Sequence, residues 1–291
     1  PPDTPFDLVT GTIGPGALQA YLGQPYVMAD SGRTRITAAT IMPEMARQDT
    51  MYGSEVNIIV MTGLEGLLYH EFNHLLGGID LYDVSYSSMG VGAWSLMGYG
   101  GWLGDWSLGV PPGTIPALLD PWHKIYYNWV TPLVVRMPRE SIPLFAAAMD
   151  TSAFAHRGDS LHPVIIKVPI SDKEYFLIEN RQTDIKHRDT LVVHVENGVP
   201  VSVAEGEYDF FLPGSGILIW HIDETVIDQL GPSNMVNIFP DHKGIDLVEG
   251  DGIQDFDRFS DKSSFGYQIY GSPYDPFFIG GYNDSLNPRT N

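Results

Sequence analysis

The sequence has 291 residues, 43% hydrophobic and 18% charged, an ordinary globular composition that excludes a disordered chain and suits one large domain or two modest ones. Acidic residues outnumber basic ones 36 to 16, for a formal net charge of −20; such a surface repels phosphate backbones and argues against a nucleic-acid partner. With no cysteine, disulfides contribute nothing, and any bound metal must be held by histidine and carboxylate.

Taken in chain order, the sequence opens PPDTPFDLVT without an initiator Met, so it reads as a piece of a longer precursor. Residues 1–55 are rich in Gly and Pro, with one short helix expected at ALQAYL, 17–22. The β-branched run VNIIVM, 56–61, reads as a strand. In TGLEGLLYHEFNHLLGG, Thr62 and Glu65 fit a capping box, and Leu64, Leu67, Leu68, Phe72 and Leu75 recur at helical spacing, which predicts a buried helix stopped by Gly77 and Gly78. Residues 79–115 are loop-like. PALLDPWHKIYYNWV, 116–130, reads as a second helix, with Pro121 in its first turn or at a kink. Beyond about 138, HPVIIKVPI (162–170), EYFLIENRQ (174–182), TLVVHVENG (190–198) and GILIWHIDE (216–224) read as strands between turn residues. No apolar run is long enough to span a membrane. The fold class expected is α+β: a catalytic core over 1–137 and a β-rich region over 138–291, packed together as one unit.

The helix at 65–75 carries the chemistry. His70 and His74 are one turn apart, so their imidazoles leave the same face and can share one zinc ion. Glu71 stands beside the first ligand, placed to take a proton from an attacking water as general base. A third ligand is needed, and Asp80 completes the spacing HExxHxxGxxD; Gly77 lets the chain leave the helix abruptly and swing back. Asp83 is a rival for that place, or a support for it. SLMGY, 95–99, puts Met97 in a Gly-rich turn of the kind that forms a floor beneath such a metal, and Tyr99, two residues on, is a candidate catalytic phenol.

HEFNHLLGGIDLYD, GAWSLMGYGGW, LDPWHKIYYNW, EYFLIENRQ, GILIWHID and GIDLVEGDG, in that order, resemble the immune inhibitor A family of secreted bacterial metallopeptidases, zincins with a Met turn. The resemblance runs from about residue 56 to the end. It implies a zincin-like core, His70, His74 and Asp80 as zinc ligands, Glu71 as base, protein or peptide substrates, export to the medium or cell surface, and often bound calcium. For calcium the candidate acids are Asp246, Glu249, Asp251, Asp255, Asp257 and Asp261, although their spacing is not that of an EF-hand and a solvated acidic loop fits it as well. His123, His221 and Glu179 read as ordinary polar residues of core or surface. The function expected is zinc-dependent endopeptidase. The alternatives are a zinc hydrolase of another amide and a surface binding module on a dead peptidase fold; an intact Glu71 argues against the last.

Overall fold

The computed structural model describes residues 11–42, 46–52, 55–149, 162–185, 193–196, 199–203, 208–257 and 270–278. It begins with small antiparallel pairs. Strand β1 (Gly11–Ile13) leads into helix α1 (Pro15–Leu22), which includes the expected 17–22 and starts on a proline, where the missing amide costs nothing. Strands β2 (Val27–Ala29) and β3 (Thr34–Ile36) pair with each other, β4 (Ala39–Ile41) returns to β1, and β5 (Ala46–Tyr52) pairs with β6 (Glu55–Thr62), the strand expected at 56–61.

Helix α2 (Glu65–Leu75) follows, but two expectations about it are corrected. The capping box is not formed: Leu64 occupies the cap position without a side-chain bond, and the free amides of Gly63 and Gly66 go instead to the carbonyls of Pro112 and Gly113, at 2.8 and 2.9 Å. Nor is the helix buried on its leucine stripe. Leu68 is 44% and Phe72 51% exposed, while the buried positions are Gly66 and Asn73. The inward face carries Gly66, His70, Asn73 and His74, so the apolar stripe turns outward. Gly66 is required there, because a Cβ on it would stand 1.9 Å from the carbonyl oxygen of Gly101.

Residues 79–115, which read as loop, fold into core. Leu81, Val91, Ala93, Trp94 and Met97 are fully buried, carried by turns and short 3-10 segments at Gly92–Trp94 and Tyr99–Trp102. Helix α3 (Pro121–Tyr126) is shorter than the sequence suggested. Asp120 caps it by accepting from the His123 amide, and Pro121 sits in its first turn, so no kink arises.

Strand β7 (Leu133–Val134) is the parallel edge of a five-stranded sheet whose other strands are antiparallel: β8 (Ile165–Pro169), β9 (Glu174–Arg181), β12 (Gly216–Asp223) and β13 (Ile245–Val248), in the order β13-β12-β9-β8-β7. Strands β10 (Val193–Glu196) and β11 (Val199–Val203) form a separate hairpin, and part of the expected strand at 190–198 lies outside the described residues. Helix α4 (Glu224–Leu230) leaves β12 through Asp223, whose carboxylate caps it. Burial alternates along β9 and β12, so Tyr175, Leu177, Leu218, Trp220 and Ile222 face inward. Those side chains share one hydrophobic core with Trp94, Met97 and Trp122. The sheet is thereby the bed on which the segment after α2 lies. Among the described residues no helix is long and apolar enough to cross a membrane.

Candidate metal centre

Helix α2 puts His70 and His74 on one face, with ring centroids 5.0 Å apart. The helix ends at Leu75 with Leu76 as its cap, and Gly77 takes φ 91°, a left-handed conformation that costs glycine nothing and reverses the chain. Asp80 returns to the helix. Its Oδ1 stands 3.0 Å from His70 Nε2 and 3.3 Å from His74 Nε2. It is buried and lacks a hydrogen-bond partner. An orphaned buried carboxylate oxygen is costly. The two distances are close to the edge of about 3.3 Å expected between donors bound about 2.0 Å from one tetrahedral zinc. Two imidazoles and one carboxylate are also the donor set of catalytic zinc. The residues therefore fit the metal.

The atoms facing away from the common point are all engaged. His70 Nδ1 lies 2.9 Å from the carbonyl oxygen of Leu96, and His74 Nδ1 lies 3.0 Å from that of Gly78. With the proton on Nδ1 donated to a carbonyl, Nε2 keeps its lone pair for a metal. Asp80 Oδ2 accepts from Asn234 Nδ2, and the Asp80 amide donates to Asn234 Oδ1 at 2.6 Å.

Residues 12–130 match the family model of the immune inhibitor A peptidase M6 catalytic domain. That segment belongs to the immune inhibitor A family. No curated protein and no solved structure matches the chain. Family membership makes this a metallopeptidase segment acting on peptide substrates, with His70, His74 and Asp80 as the group able to hold its metal.

The loop carrying Met97 meets this site through main-chain hydrogen bonds. Met97 is fully buried, and the Met turn supplies two consecutive carbonyls: Leu96 to His70, and Met97 to the Leu81 amide at 2.8 Å. A buried relay holds the same loop from below. The Met97 amide donates to Ser95 Oγ at 3.1 Å, Ser95 Oγ donates to Asp120 Oδ2 at 2.8 Å, Asp120 Oδ2 lies 2.7 Å from His123 Nδ1, and His123 Nε2 accepts from the Ile79 amide at 3.2 Å. His123 is thus a satisfied core histidine, and it also anchors the residue before Asp80. Serine, aspartate and histidine here do not form a nucleophilic triad, since the hydroxyl bonds the aspartate and every member is buried.

Two cavities flank Glu71. One, of about 240 Å³, is lined by His70, Glu71, Tyr82, Tyr86, Tyr99 and Trp102. The other, of about 450 Å³, is lined by Glu71, His74, Gly77, Gly78, Gly231 and Asn234. Tyr99 is in the first wall, with its ring centroid 6.0 Å from that of Tyr82. Tyr82 stacks on His70 at 6.1 Å and 27°. Burial raises the pKa of both phenols, and the Asp80 charge raises Tyr82 further, so both stay protonated as donors. Tyr82 was not singled out from sequence, though its place two residues after Asp80 was the available signal.

Asp83 is not in the cluster. It accepts from the amides of Ser85, Ser87 and Ser88 and from both serine hydroxyls at 85 and 87, which outweigh burial and hold its carboxyl below the usual range. His221 pairs with Glu174 at 2.9 Å near the surface. Glu179 is fully buried between Lys124, Arg181 and the Trp220 indole. Arg181, which sequence reasoning passed over, also reaches Asp209 and the carbonyl of Trp94, tying the sheet to the Met-turn loop.

Of the acids at 244–261, Glu249 and Asp251 join Asp275, from further along the chain, in a second group able to hold a cation. Burial raises Glu249, and it raises Asp275 to about 6. Asp246 and Asp257 pair instead with Lys243, and Asp261 lies outside the described residues.

Proposed function

We propose that the chain is a zinc-dependent endopeptidase with a zincin-like core, in which His70, His74 and Asp80 hold zinc, Glu71 is the general base and Tyr99 donates to the oxyanion. The observation that carries this is the convergence of two Nε2 atoms on an otherwise unpartnered Asp80 Oδ1. Zinc bound there would supply Lewis acidity, polarising the scissile carbonyl and acidifying water. Glu71, between the two cavities, takes the proton of the attacking water and passes it to the departing nitrogen. Tyr99 in the cavity wall offers a phenol to the oxygen on which charge develops. Space on both sides of Glu71 favours cleavage within a chain rather than at its end.

The same reading assigns calcium to Glu249, Asp251 and Asp275, an all-oxygen donor set suited to a hard cation. It also includes export to the medium or cell surface, resting on the family; recovery of the native gene product from the cytosol alone would overturn that part.

The decisive experiment is metal analysis together with digestion of casein. One zinc per chain, and casein cleavage abolished by a chelator and restored by zinc, are expected. A folded sample that takes up no zinc overturns the metal reading. One that holds zinc and leaves casein intact overturns the endopeptidase.

A further inference from the structure

Asp80, the third candidate ligand, is held from outside the family-matched segment. Its amide donates to Asn234 Oδ1 at 2.6 Å, and Asn234 Nδ2 donates to its Oδ2. One side chain thus grips both the main chain and the carboxylate of the same residue. A carboxylate on one methylene turns freely unless something fixes it. With Oδ2 taken, Oδ1 is the oxygen left facing the imidazoles, 3.0 and 3.3 Å away.

Asn234 is itself fixed. It takes φ 56°, ψ 42°, a left-handed conformation that asparagine tolerates better than most residues, and its amide donates to the carbonyl of Gly231 at 2.8 Å. Three residues on, buried Asn237 donates to the carbonyls of Leu81 and Ile245, at 3.0 and 2.9 Å, and accepts from the Ile245 amide at 3.2 Å. Asp80 and Leu81 are therefore fastened together to one short segment that is pinned to β13.

We propose that Asn234 is a positioning residue of the metal centre, setting the zinc affinity of residues 70–80 by orienting the Asp80 carboxylate. The proposal rests on the zinc reading above. It makes the centre a joint product of the matched segment 12–130 and the region after α4.

Two variants of the full chain test it. Asn234→Gly keeps the left-handed backbone and removes the amide. Asn234→Asp keeps the size and the acceptor for the Asp80 amide but faces the carboxylate with a like charge. Zinc affinity is read by competition with a chromogenic chelator, and thermal unfolding of the metal-free proteins is followed alongside. Both variants are expected to bind zinc about 10- to 100-fold more weakly than the parent, as for loss of other groups that orient a ligand. Metal-free Asn234→Asp is expected to unfold cooperatively. Affinity within about threefold of the parent in either folded variant overturns the proposal. So does a loss of affinity confined to variants that are unfolded without metal, which would make Asn234 a folding residue. If the parent itself binds no zinc, the zinc reading has failed and the proposal falls with it, an outcome visible before any variant is measured.

Discussion

Among the described residues, side chains able to hold a cation gather in two places, and the two are prepared differently. At His70, His74 and Asp80 the outward atoms are all spoken for, by the carbonyls of Leu96 and Gly78 and by Asn234, and the inward atoms are left facing one another. At Glu249, Asp251 and Asp275 the carboxylates already receive donors. Glu249 accepts from the amides of Asp255 and Phe256, Asp275 from the Ser272 amide and the Trp94 indole, and Asp251 from the Ile253 amide. The first group is a set of donor atoms held open, whereas the second is a loop scaffold with charge to spare. Proximity of ionisable groups says little by itself; which atoms have been left without other work says more.

The largest effect expected lies at the first group and separates binding from chemistry. Glu71→Gln should retain zinc and lose about a thousandfold in turnover on casein, since the amide cannot accept a proton. Turnover near the parent rate would remove Glu71 as base. Next, Asp80→Ala should lose both zinc and activity. Asp83→Ala should keep zinc and lower the unfolding temperature, because its serine turn loses its acceptor at a cost of about 1–3 kcal/mol. Zinc lost only on changing Asp83 would show that the wrong carboxylate had been chosen. Tyr99→Phe should lower turnover about a hundredfold with zinc content unchanged. If it cleaves casein at the parent rate while Tyr82→Phe is impaired, the donor is Tyr82.

The smallest effect belongs to the second group. Saturating calcium should raise the unfolding temperature by about 5 °C, from a few kcal/mol of binding at an excess of about a hundred times Kd. Glu249→Gln should remove that rise without touching zinc. No response to calcium in the parent would leave these acids as scaffold alone, and the contrast between the two groups would be complete.

What could be read from sequence was what is local. Two histidines four apart and a carboxylate three past Gly77 are short-range spacings, and the structure brings those three residues together; the runs at 174–182 and 216–224 read as strands and form β9 and β12. The leucine stripe of α2 misled because burial was inferred from apolar spacing, while the helix turns its glycine and polar face inward. The stretch 79–115 misled in the opposite sense. Its Gly and Ser content signalled loop, yet its backbone amides are satisfied by the side chains of Asp83 and Ser95 and by turn carbonyls such as those of Met89, Val91 and Ser95 rather than by a ladder, which lets irregular chain fill a core. Asn234, Asn237 and Arg181 gave no signal, because each acts on a partner far away in the chain and no spacing records that.

The contact between Asp80 and Asn234 spans 154 positions. Closing a loop of that size is entropically expensive and comes late relative to the formation of a single helix. Helix α2 can present its two histidines from a short stretch of chain, but the grip on Asp80 waits until β12, α4 and the turn beyond them have docked. The order of assembly thus follows the order of the sequence motif. Its most recognisable eleven residues come first, and the bond that aligns them closes only after most of the polypeptide has found its place.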